Sequence, residues 1–192
     1  EQHLPPLDVA LDVADAAGLP LMVHIDFPPP SYEEVVGRLR AGDILTAIEI
    51  ADRTGLCEWT EAGFRAHLAE SDTFSLSLFA SKREHTGFLV ARSVPGQGTG
   101  PDAELLNIAV LPEYQGRGLG PYLMDPFIEW CRSLNAENIW LEVRVSNAAA
   151  IKFYCKYGFE KAATRPGLYT DPPEDGILMV CNVSKTPKPS IA

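Results

Sequence analysis

A glycine-rich turn, Gln115-Gly-Arg-Gly-Leu-Gly120, follows an apolar run that ends near Val110. The run predicts a strand, and the residues after the turn predict a helix. Glycines let backbone N–H groups approach a ligand closely, and a helix N-terminus adds about half a positive charge. This arrangement is typical of a pyrophosphate-binding site. An ordinary strand-to-helix connection can have the same pattern, so the turn alone leaves both interpretations open.

A second stretch, residues 140–159, carries two titratable side chains in a strand-to-helix context. The helix is predicted to be capped by Asn147, or by the serine before it, and closed by Gly158. Glu142 lies on the predicted strand and Tyr154 on the predicted helix. Taken alone, the pattern fits a solvated strand residue and a tyrosine that packs the helix.

Together the two stretches resemble the GNAT superfamily of acetyl-CoA-dependent N-acetyltransferases. The matching blocks are N-I-A-V-x-P-x-Y-Q-x-x-G-L-G at 107–120, L-E-V-R-x-S-N-A-A-A-I at 141–151 and Y-x-x-x-G-F at 154–159. Their order and spacing also match, and the similarity extends over about residues 42–183. The resemblance is closest to the RimI-like ribosomal-protein-alanine N-acetyltransferases.

This resemblance implies an acetyl-CoA site in a V between the strands that end near Val110 and Val145. The first strand would hydrogen-bond the pantetheine and thioester, the glycine-rich turn would hold the pyrophosphate, and Asn147 would contact the pantetheine arm. Tyr154 would protonate the leaving thiolate, and Glu142 would be the general base, acting through water. The cofactor-binding set implied in this way is Ile108, Ala109, Val110, Gln115, Gly116, Arg117, Gly118, Leu119, Gly120, Asn147, Ala150 and Tyr154.

The chemistry of amine acetylation bears on the acceptor. The amine must be unprotonated, and the tetrahedral oxyanion needs a hydrogen-bond donor. An α-amine titrates near pH 8 and a lysine amine near 10.4, so the lysine costs about 3 kcal/mol more to deprotonate at neutral pH. This favours a protein N-terminus as the acceptor, and the resemblance implies that of a ribosomal protein. A small amine or amino acid remains an alternative acceptor, a CoA-binding module without turnover an alternative function, and Glu104 an alternative base.

Two departures from the family pattern lie in the second half of the chain. Pro126 falls inside the helix predicted after the glycine-rich turn, where a proline costs about 3 kcal/mol and kinks the helix. The acceptor loop reads Arg165-Pro-Gly-Leu168-Tyr169. Only Arg165 and Tyr169 match the R-x-x-Y-Y-like run of the family, and these two are the candidate acceptor-binding residues.

The N-terminal segment is a third departure. Residues 8–46 resemble a fragment of a barrel amidohydrolase, in which a strand histidine matched by His24 can ligate a metal. No second ligand cluster accompanies it, so we expect His24 to be inert.

The same segment leaves one element undecided between helix and strand. A capping box, Ser31-x-x-Glu34, predicts a helix over 32–40, whereas the family pattern expects its first strand there. We favour the helix; the alternative is that Val35 to Leu39 pairs as an edge strand.

Composition and charge bound the remaining possibilities. The 192 residues are 46% hydrophobic and 22% charged, which is ordinary for a soluble globular protein. With 16 Lys+Arg against 26 Asp+Glu, the net charge of −10 disfavours nucleic acid and anionic membranes as partners. The four cysteines form no CxxC pair, so we expect no metal. The chain shows no signal peptide, and we expect a cytoplasmic protein.

Periodicity supplies the elements that must position the site. Strands are predicted at 73–81, 87–94, 104–110, 139–145, 159–164 and 176–183, and helices at 43–53, after Thr60, at 117–134 and at 148–157. The fold class is α/β (α+β layered): a GNAT-like mixed, mostly antiparallel twisted sheet with helices on both faces. We expect an N-terminal extension at 1–32, an acetyltransferase domain at 33–183 and a flexible tail at 184–192.

Overall fold

The computed structural model describes residues 23–25, 34–37, 44–55, 60–81 and 84–187. The helices are α1 (Ile44–Arg53), α2 (Glu61–Ala69), α3 (Gly120–Ser133) and α4 (Ala148–Lys156), with 3-10 helices at Pro112–Tyr114 and Val183–Lys185. The strands are β1 (Val23–Ile25), β2 (Glu34–Gly37), β3 (Thr73–Ser81), β4 (Glu84–Val94), β5 (Asp102–Val110), β6 (Asn138–Arg144), β7 (Glu160–Thr170) and β8 (Pro173–Asn182). Within these described ranges, we find no helix with the length and hydropathy that a membrane span requires.

The described strands form one sheet in the order β1-β2-β3-β4-β5-β6-β8-β7. Strands β5 and β6 run parallel and are joined through α3, as a parallel crossover requires. The pairs β1·β2, β2·β3, β6·β8 and β7·β8 are antiparallel. The sheet is mixed and mostly antiparallel, and helices connect several of its strands along the chain. This architecture confirms the predicted fold class.

The parallel pair at the centre of the sheet is short. Its register joins Ala103–Leu105 of β5 to Ile139–Leu141 of β6. Both strands continue past these residues, β5 to Val110 and β6 to Arg144, whereas the register pairing between them does not. Strands that stop pairing leave backbone N–H and C=O groups available to a ligand.

The chain divides into two compact units, each with its own apolar core. The first draws on residues 1–70, 75–88 and 109–123, and its fully buried side chains include Phe64 and Phe88, whose rings meet edge to face at 5.7 Å. The second draws on residues 71–74, 89–108 and 124–192. Its fully buried side chains include Phe127, Ile128, Ile139 and Phe159.

The predicted helix over residues 32–40 is wrong. Residues 34–37 form strand β2, whose Val35 and Val36 are register partners of Phe79 and Leu78 on β3. Two adjacent β-branched residues favour a strand, and pairing with β3 satisfies backbone groups that an edge strand would leave open. The capping-box serine, Ser31, lies outside the described residues.

The N-terminal extension contributes to the same sheet. Strand β1 pairs antiparallel with β2 and places Val23 opposite Val36. The boundary expected at residue 32 therefore separates two strands that are hydrogen-bonded neighbours. Residues 8–43 belong to the segment that resembles an amidohydrolase. Of these, only strands β1 and β2 are among the described residues.

Helix α3 continues through Pro126 instead of ending there. The proline lacks the N–H group that would bond to the carbonyl four residues earlier. Met124, Phe127 and Ile128 around it are almost fully buried. Burial of such side chains contributes about 1.5–3 kcal/mol each, which offsets the cost of about 3 kcal/mol for the proline.

Residues 184–187, which the sequence assigns to a flexible tail, are held in place by hydrogen bonds. The Arg132 guanidinium donates to the hydroxyl of Thr186 at 2.6 Å and to the carbonyls of Thr186 and Pro187 at 3.2 and 2.9 Å. Thr186 is buried, and Val183–Lys185 forms a 3-10 helix. These contacts fix residues 184–187 against α3, and residues 188–192 lie outside the described chain.

Acid is expected to weaken the connection between β4 and β5 through Glu137. Its carboxylate accepts from the N–H groups of Gly100 and Thr99 at 2.9 and 2.6 Å and from the Thr99 hydroxyl at 2.9 Å. These hydrogen bonds lower the pKa of Glu137 from its usual value of 4.5, and the hydrogen bond from Gly100 has the largest effect. A carboxyl group whose pKa is lowered by folding stabilises the fold above its unfolded pKa. This contribution disappears as the pH falls through the folded pKa.

The test compares the wild-type protein with Glu137→Gln, which cannot titrate. We expect the wild-type protein to have the higher Tm at about pH 6, and the difference to shrink as the pH falls below about 4.5. Thermal unfolding monitored by circular dichroism across this range measures the difference. A difference in Tm that stays constant with pH would contradict this interpretation.

Candidate functional site

The glycine-rich turn is an exposed loop between β5 and α3. Gly116 and Gly118 have φ angles of +73° and +80°, and a Cβ on either would meet nothing within 4 Å. Glycine is therefore required for its backbone conformation and not for lack of space. Backbone in this conformation can turn N–H groups toward an anion. Helix α3 begins at Gly120 with no acidic residue in its first turn, so its N-terminus remains electropositive.

Several hydrogen bonds fix the start of this loop. The Gln115 side chain donates to the carbonyl of Val110 at 2.8 Å, and the Gln115 N–H donates to Pro112 at 3.2 Å. The Leu111 N–H donates to the carbonyl of Thr86 at 2.8 Å. The Arg117 guanidinium lies over the ring of Tyr114, 5.3 Å from its centroid. Gln115 thus holds the loop through both its side chain and its amide, and the amides after it are the better candidates to bind pyrophosphate.

Gly118→Ala is expected to weaken acetyl-CoA binding about 5- to 30-fold. The left-handed backbone conformation costs an alanine about 1–2 kcal/mol of conformational free energy relative to glycine. The free loop is exposed and has room to relax, so the cost falls mainly on the bound state. Isothermal titration calorimetry with acetyl-CoA measures the change. Gly63→Ala in α2 is the matched control, because its Cβ would make only an ordinary contact of 3.4 Å. Equal Kd values for the two variants would contradict a role for the loop conformation.

Residues 108–110, at the end of β5, follow the part of the strand that pairs with β6. Ala109 is buried, whereas Ile108 and Val110 are half-buried. The backbone of β4 approaches closely here, since a Cβ on Gly87 would lie 2.6 Å from the Ala109 carbonyl oxygen. Only a glycine at position 87 permits this approach.

The predicted base and one predicted acceptor-binding residue form an ion pair. Glu142 lies on β6, Arg165 lies on β7, and the Arg165 guanidinium contacts the Glu142 carboxylate across β8. In the register of the three strands, Arg144 and Arg165 are both opposite Gly176, so all three occupy one face of the sheet. Glu142, two residues before Arg144, shares that face.

The predicted acid is a buried phenol. Tyr154 is 7% exposed and packs against the rings of Phe153 and Phe159, each 5.8 Å away between centroids. Burial, and secondarily the nearby Tyr169 phenol, raises the pKa of Tyr154 well above its usual value of 10. The structure therefore brings Tyr154 and the candidate acceptor-binding residue Tyr169 close enough to influence each other, and Tyr154 stays protonated at neutral pH.

Asn147 and Ala150 are joined by the cap of helix α4. The Asn147 side-chain oxygen accepts the Ala150 N–H at 3.1 Å, which confirms the predicted N-cap. Gly158, with φ of +86°, follows the helix as expected. The cap orients the first turn of the helix that carries Tyr154.

The predicted acceptor loop, residues 165–169, forms a bulge in β7. The register between β7 and β8 shifts between Arg165 and Tyr169. Gly167 has φ of +62° and donates its N–H to Asp175 at 2.8 Å. The Leu168 side chain covers Gly176, where a Cβ would lie 2.3 Å from a Leu168 methyl carbon. The run Pro166-Gly167-Leu168 is thus a structured kink.

Two residues of this face were not singled out from the sequence. The Arg144 guanidinium lies over the ring of Tyr169, 4.2 Å from its centroid, and pairs with Glu174 at 3.3 Å. The position of Arg144 could have been predicted from the L-E-V-R block, because a strand residue two positions after Glu142 must lie on the same face of the sheet. No motif in the sequence indicated that Glu174 lies on this face.

The alternative base, Glu104, is also ion-paired, in its case with Arg92 on β4. Its carboxylate accepts from the Arg92 guanidinium at 2.8 Å. Within the part of the chain that the structure describes, no group of three or more His, Cys, Asp or Glu residues is arranged to hold a metal ion.

Comparison with known proteins adds independent findings. The model of the Acetyltransferase (GNAT) family matches residues 44–159. The [Ribosomal protein bS18]-alanine N-acetyltransferase of Escherichia coli (strain K12) is 34% identical over 152 residues, 78% of this chain and 97% of that protein. An N-alpha-acetyltransferase of Saccharolobus solfataricus is 42% identical over 76 residues, 39% of this chain and 45% of that protein.

Solved structures agree with these matches. The crystal structure of the ribosomal-protein-S18-alanine N-acetyltransferase from Escherichia coli superposes with a TM-score of 0.68 at 31% identity. The superposition covers 80% of this chain and 96% of that one. The comparisons lend no support to the resemblance of residues 8–46 to an amidohydrolase.

Proposed function

Because this chain belongs to the acetyltransferase (GNAT) family, we propose that it transfers the acetyl group of acetyl-CoA to the N-terminal α-amine of a protein, such as a ribosomal protein. The observation that carries the proposal is the 34% identity to a relative named as a ribosomal-protein alanine N-acetyltransferase, over 97% of that relative. A basic or neutral peptide terminus also suits a chain with a net charge of −10.

The glycine-rich loop is proposed to bind the pyrophosphate of acetyl-CoA. The positive φ angles of Gly116 and Gly118 and the uncompensated N-terminus of α3 fit an anionic group. Acetyl-CoA supplies the acetyl group in activated form, as a thioester. Asn147 and Ala150 are proposed to contact the pantetheine arm, with Asn147 also capping α4, and Ile108 to Val110 to offer backbone groups.

Glu142 is proposed to remove the proton from the acceptor amine through water. An α-amine with a pKa near 8 needs only about 1.4 kcal/mol to lose its proton at pH 7, which a carboxylate relay can supply. Arg165 contacts one carboxylate oxygen of Glu142 and fixes the orientation of the group. Arg165 and Tyr169 are proposed to line the acceptor site.

Tyr154 is proposed to stabilise the leaving sulfur. Its raised pKa keeps the phenol protonated, so it can donate a hydrogen bond to a developing thiolate throughout the neutral range. An ordinary thiol has a pKa of about 8.5, which is lower than the raised pKa of this phenol, so complete proton transfer from Tyr154 is uphill. Donation of a strong hydrogen bond is therefore the main contribution.

The test is thiol release from acetyl-CoA with three sets of acceptors: peptides with free N-termini, Nα-blocked peptides that contain lysine, and small amines. The proposal expects release with the free N-termini alone. Release only with a small amine would favour the second candidate function, which the bulged acceptor loop at 165–169 motivates. Binding of acetyl-CoA without release from any acceptor would favour a CoA-binding module.

Domain limits and location form part of the same proposal. We assign the acetyltransferase domain to residues 33–187, because residues 184–187 are fixed against α3. The strand at 34–37 is its first element, and residues 1–32 are an extension that adds β1. Cys131, Cys155 and Cys181 are free thiols, which fits a reducing compartment such as the cytoplasm.

A further inference from the structure

We propose that Arg144 is the positioning residue of the acceptor site, because its side chain clamps the tip of the β7–β8 hairpin, with Tyr169, against the end of β6. The inference rests on the proposed function, in which this hairpin binds the acceptor. Arg144 belongs to the L-E-V-R block, yet the proposed chemistry leaves it without a role.

Four contacts make up the clamp. The Arg144 guanidinium donates to the carbonyls of Asp171 and Pro172 at 2.7 and 3.0 Å, pairs with Glu174 at 3.3 Å and covers the Tyr169 ring at 4.2 Å. Two nitrogens of a rigid guanidinium thus bind two consecutive carbonyls, while its face stacks on an aromatic ring. A lysine cannot reproduce this combination.

The ion pair within the clamp is less exposed than the other ion pairs among the described residues. The Arg144 and Glu174 side chains are each 18% exposed, whereas those of Arg65 and Glu61 on α2 are 54% and 48% exposed. Exposed pairs contribute little, because water and salt screen them. The shielded pair is therefore the better candidate to hold a structural element in place.

The hairpin tip needs such a clamp, because a bulge separates it from the rest of its ladder. Below the bulge, β7 and β8 pair from Glu160 to Arg165. Above it, only Tyr169 and Thr170 have register partners, which are Glu174 and Pro173. A ladder of two pairs is weak by itself. Contacts from outside the hairpin therefore add to those of Gly167 with Asp175 and of Leu168 with Gly176 in holding Tyr169.

Glu174 extends the clamp to the helix that carries the candidate acid. One of its carboxylate oxygens accepts the Ser146 N–H, and the other faces Arg144. Ser146 directly precedes Asn147, the N-cap of α4. The same network therefore joins the acceptor hairpin, the end of β6 and the first turn of the Tyr154 helix.

Steady-state kinetics of Arg144→Gln and Arg144→Lys test the proposal, with Arg65→Gln as the matched control. We expect Arg144→Gln to raise the KM for an acceptor peptide about 10-fold and to leave the KM for acetyl-CoA within about twofold. Arg144→Lys should recover part of the loss, because it keeps the charge near Glu174 but not the paired hydrogen bonds. An unchanged peptide KM, or an equal rise in both KM values, would overturn the proposal.

Hydrogen exchange monitored by mass spectrometry tests the clamp without relying on activity. Arg144→Gln should speed exchange of the backbone amides in residues 169–175 at least about 10-fold, and Arg65→Gln should leave it unchanged. If the wild-type protein acetylates no peptide, the proposed function fails while this measurement still decides whether Arg144 clamps the hairpin. Unchanged exchange in Arg144→Gln would overturn the clamp even if peptides are acetylated.

Discussion

Tyr154→Phe is expected to lower kcat about 100- to 1,000-fold while the protein stays folded and binds acetyl-CoA normally. The substitution removes a phenol that burial keeps protonated and leaves the ring contacts with Phe153 and Phe159 in place. Without that donor, the thiolate must leave with its charge unstabilised. Thiol release with saturating acetyl-CoA and peptide measures kcat, and calorimetry measures acetyl-CoA binding.

Tyr157→Phe is the matched control on the same helix-to-strand segment. Its hydroxyl donates to the buried carboxylate of Asp125 at 2.7 Å, so its loss should cost about 1–3 kcal/mol of folding free energy. For a chain of this size, we expect Tm to fall by roughly 2–12 °C, with kcat changed less than about threefold. A kcat for Tyr154→Phe within about threefold of wild type would remove Tyr154 from the chemistry.

Glu142→Gln is expected to lower kcat/KM for the peptide about 100- to 10,000-fold at neutral pH. The amide keeps the size of the side chain but cannot take up a proton from the amine. Because the missing step is deprotonation of the acceptor, the loss should shrink as the pH rises through the α-amine pKa of about 8. Initial rates measured from about pH 6.5 to 9.5 give the profile.

Glu104→Gln provides the comparison for this variant. Glu104 pairs with Arg92 much as Glu142 pairs with Arg165, and it was the alternative base. Removing an exposed ion pair should change stability by less than about 1 kcal/mol and leave the pH profile unchanged. If Glu104→Gln causes the larger loss, the two roles must be exchanged.

Much of the fold could be predicted from local sequence signals. Strand β3 has the predicted bounds, residues 73–81, and Thr60 and Asn147 cap α2 and α4 as expected. Apolar periodicity and capping chemistry act within a few residues, so a single sequence reveals them. Strand β2 was misassigned because its pairing with β3, about 40 residues away, outweighs the local capping signal.

The candidate site shows the same limit. Strand β7 was expected to end at residue 164, since proline and glycine at 166 and 167 usually mark a loop. The strand instead continues through a bulge to Thr170 and pairs with β8. Side-chain contacts with β6 also hold it. The Glu142–Arg165 pair and the Arg144 clamp depend on β8 lying between β6 and β7, an order that no local pattern reveals.

The central claim is most directly tested by locating the acetyl group on one peptide that offers both kinds of amine. The peptide begins with a free alanine and contains an internal lysine, and tandem mass spectrometry follows its incubation with the protein and acetyl-CoA. We expect acetylation of the α-amine, at least about 10-fold over the lysine, and its loss in Tyr154→Phe. Acetylation of the lysine alone would contradict the proposed N-terminal specificity.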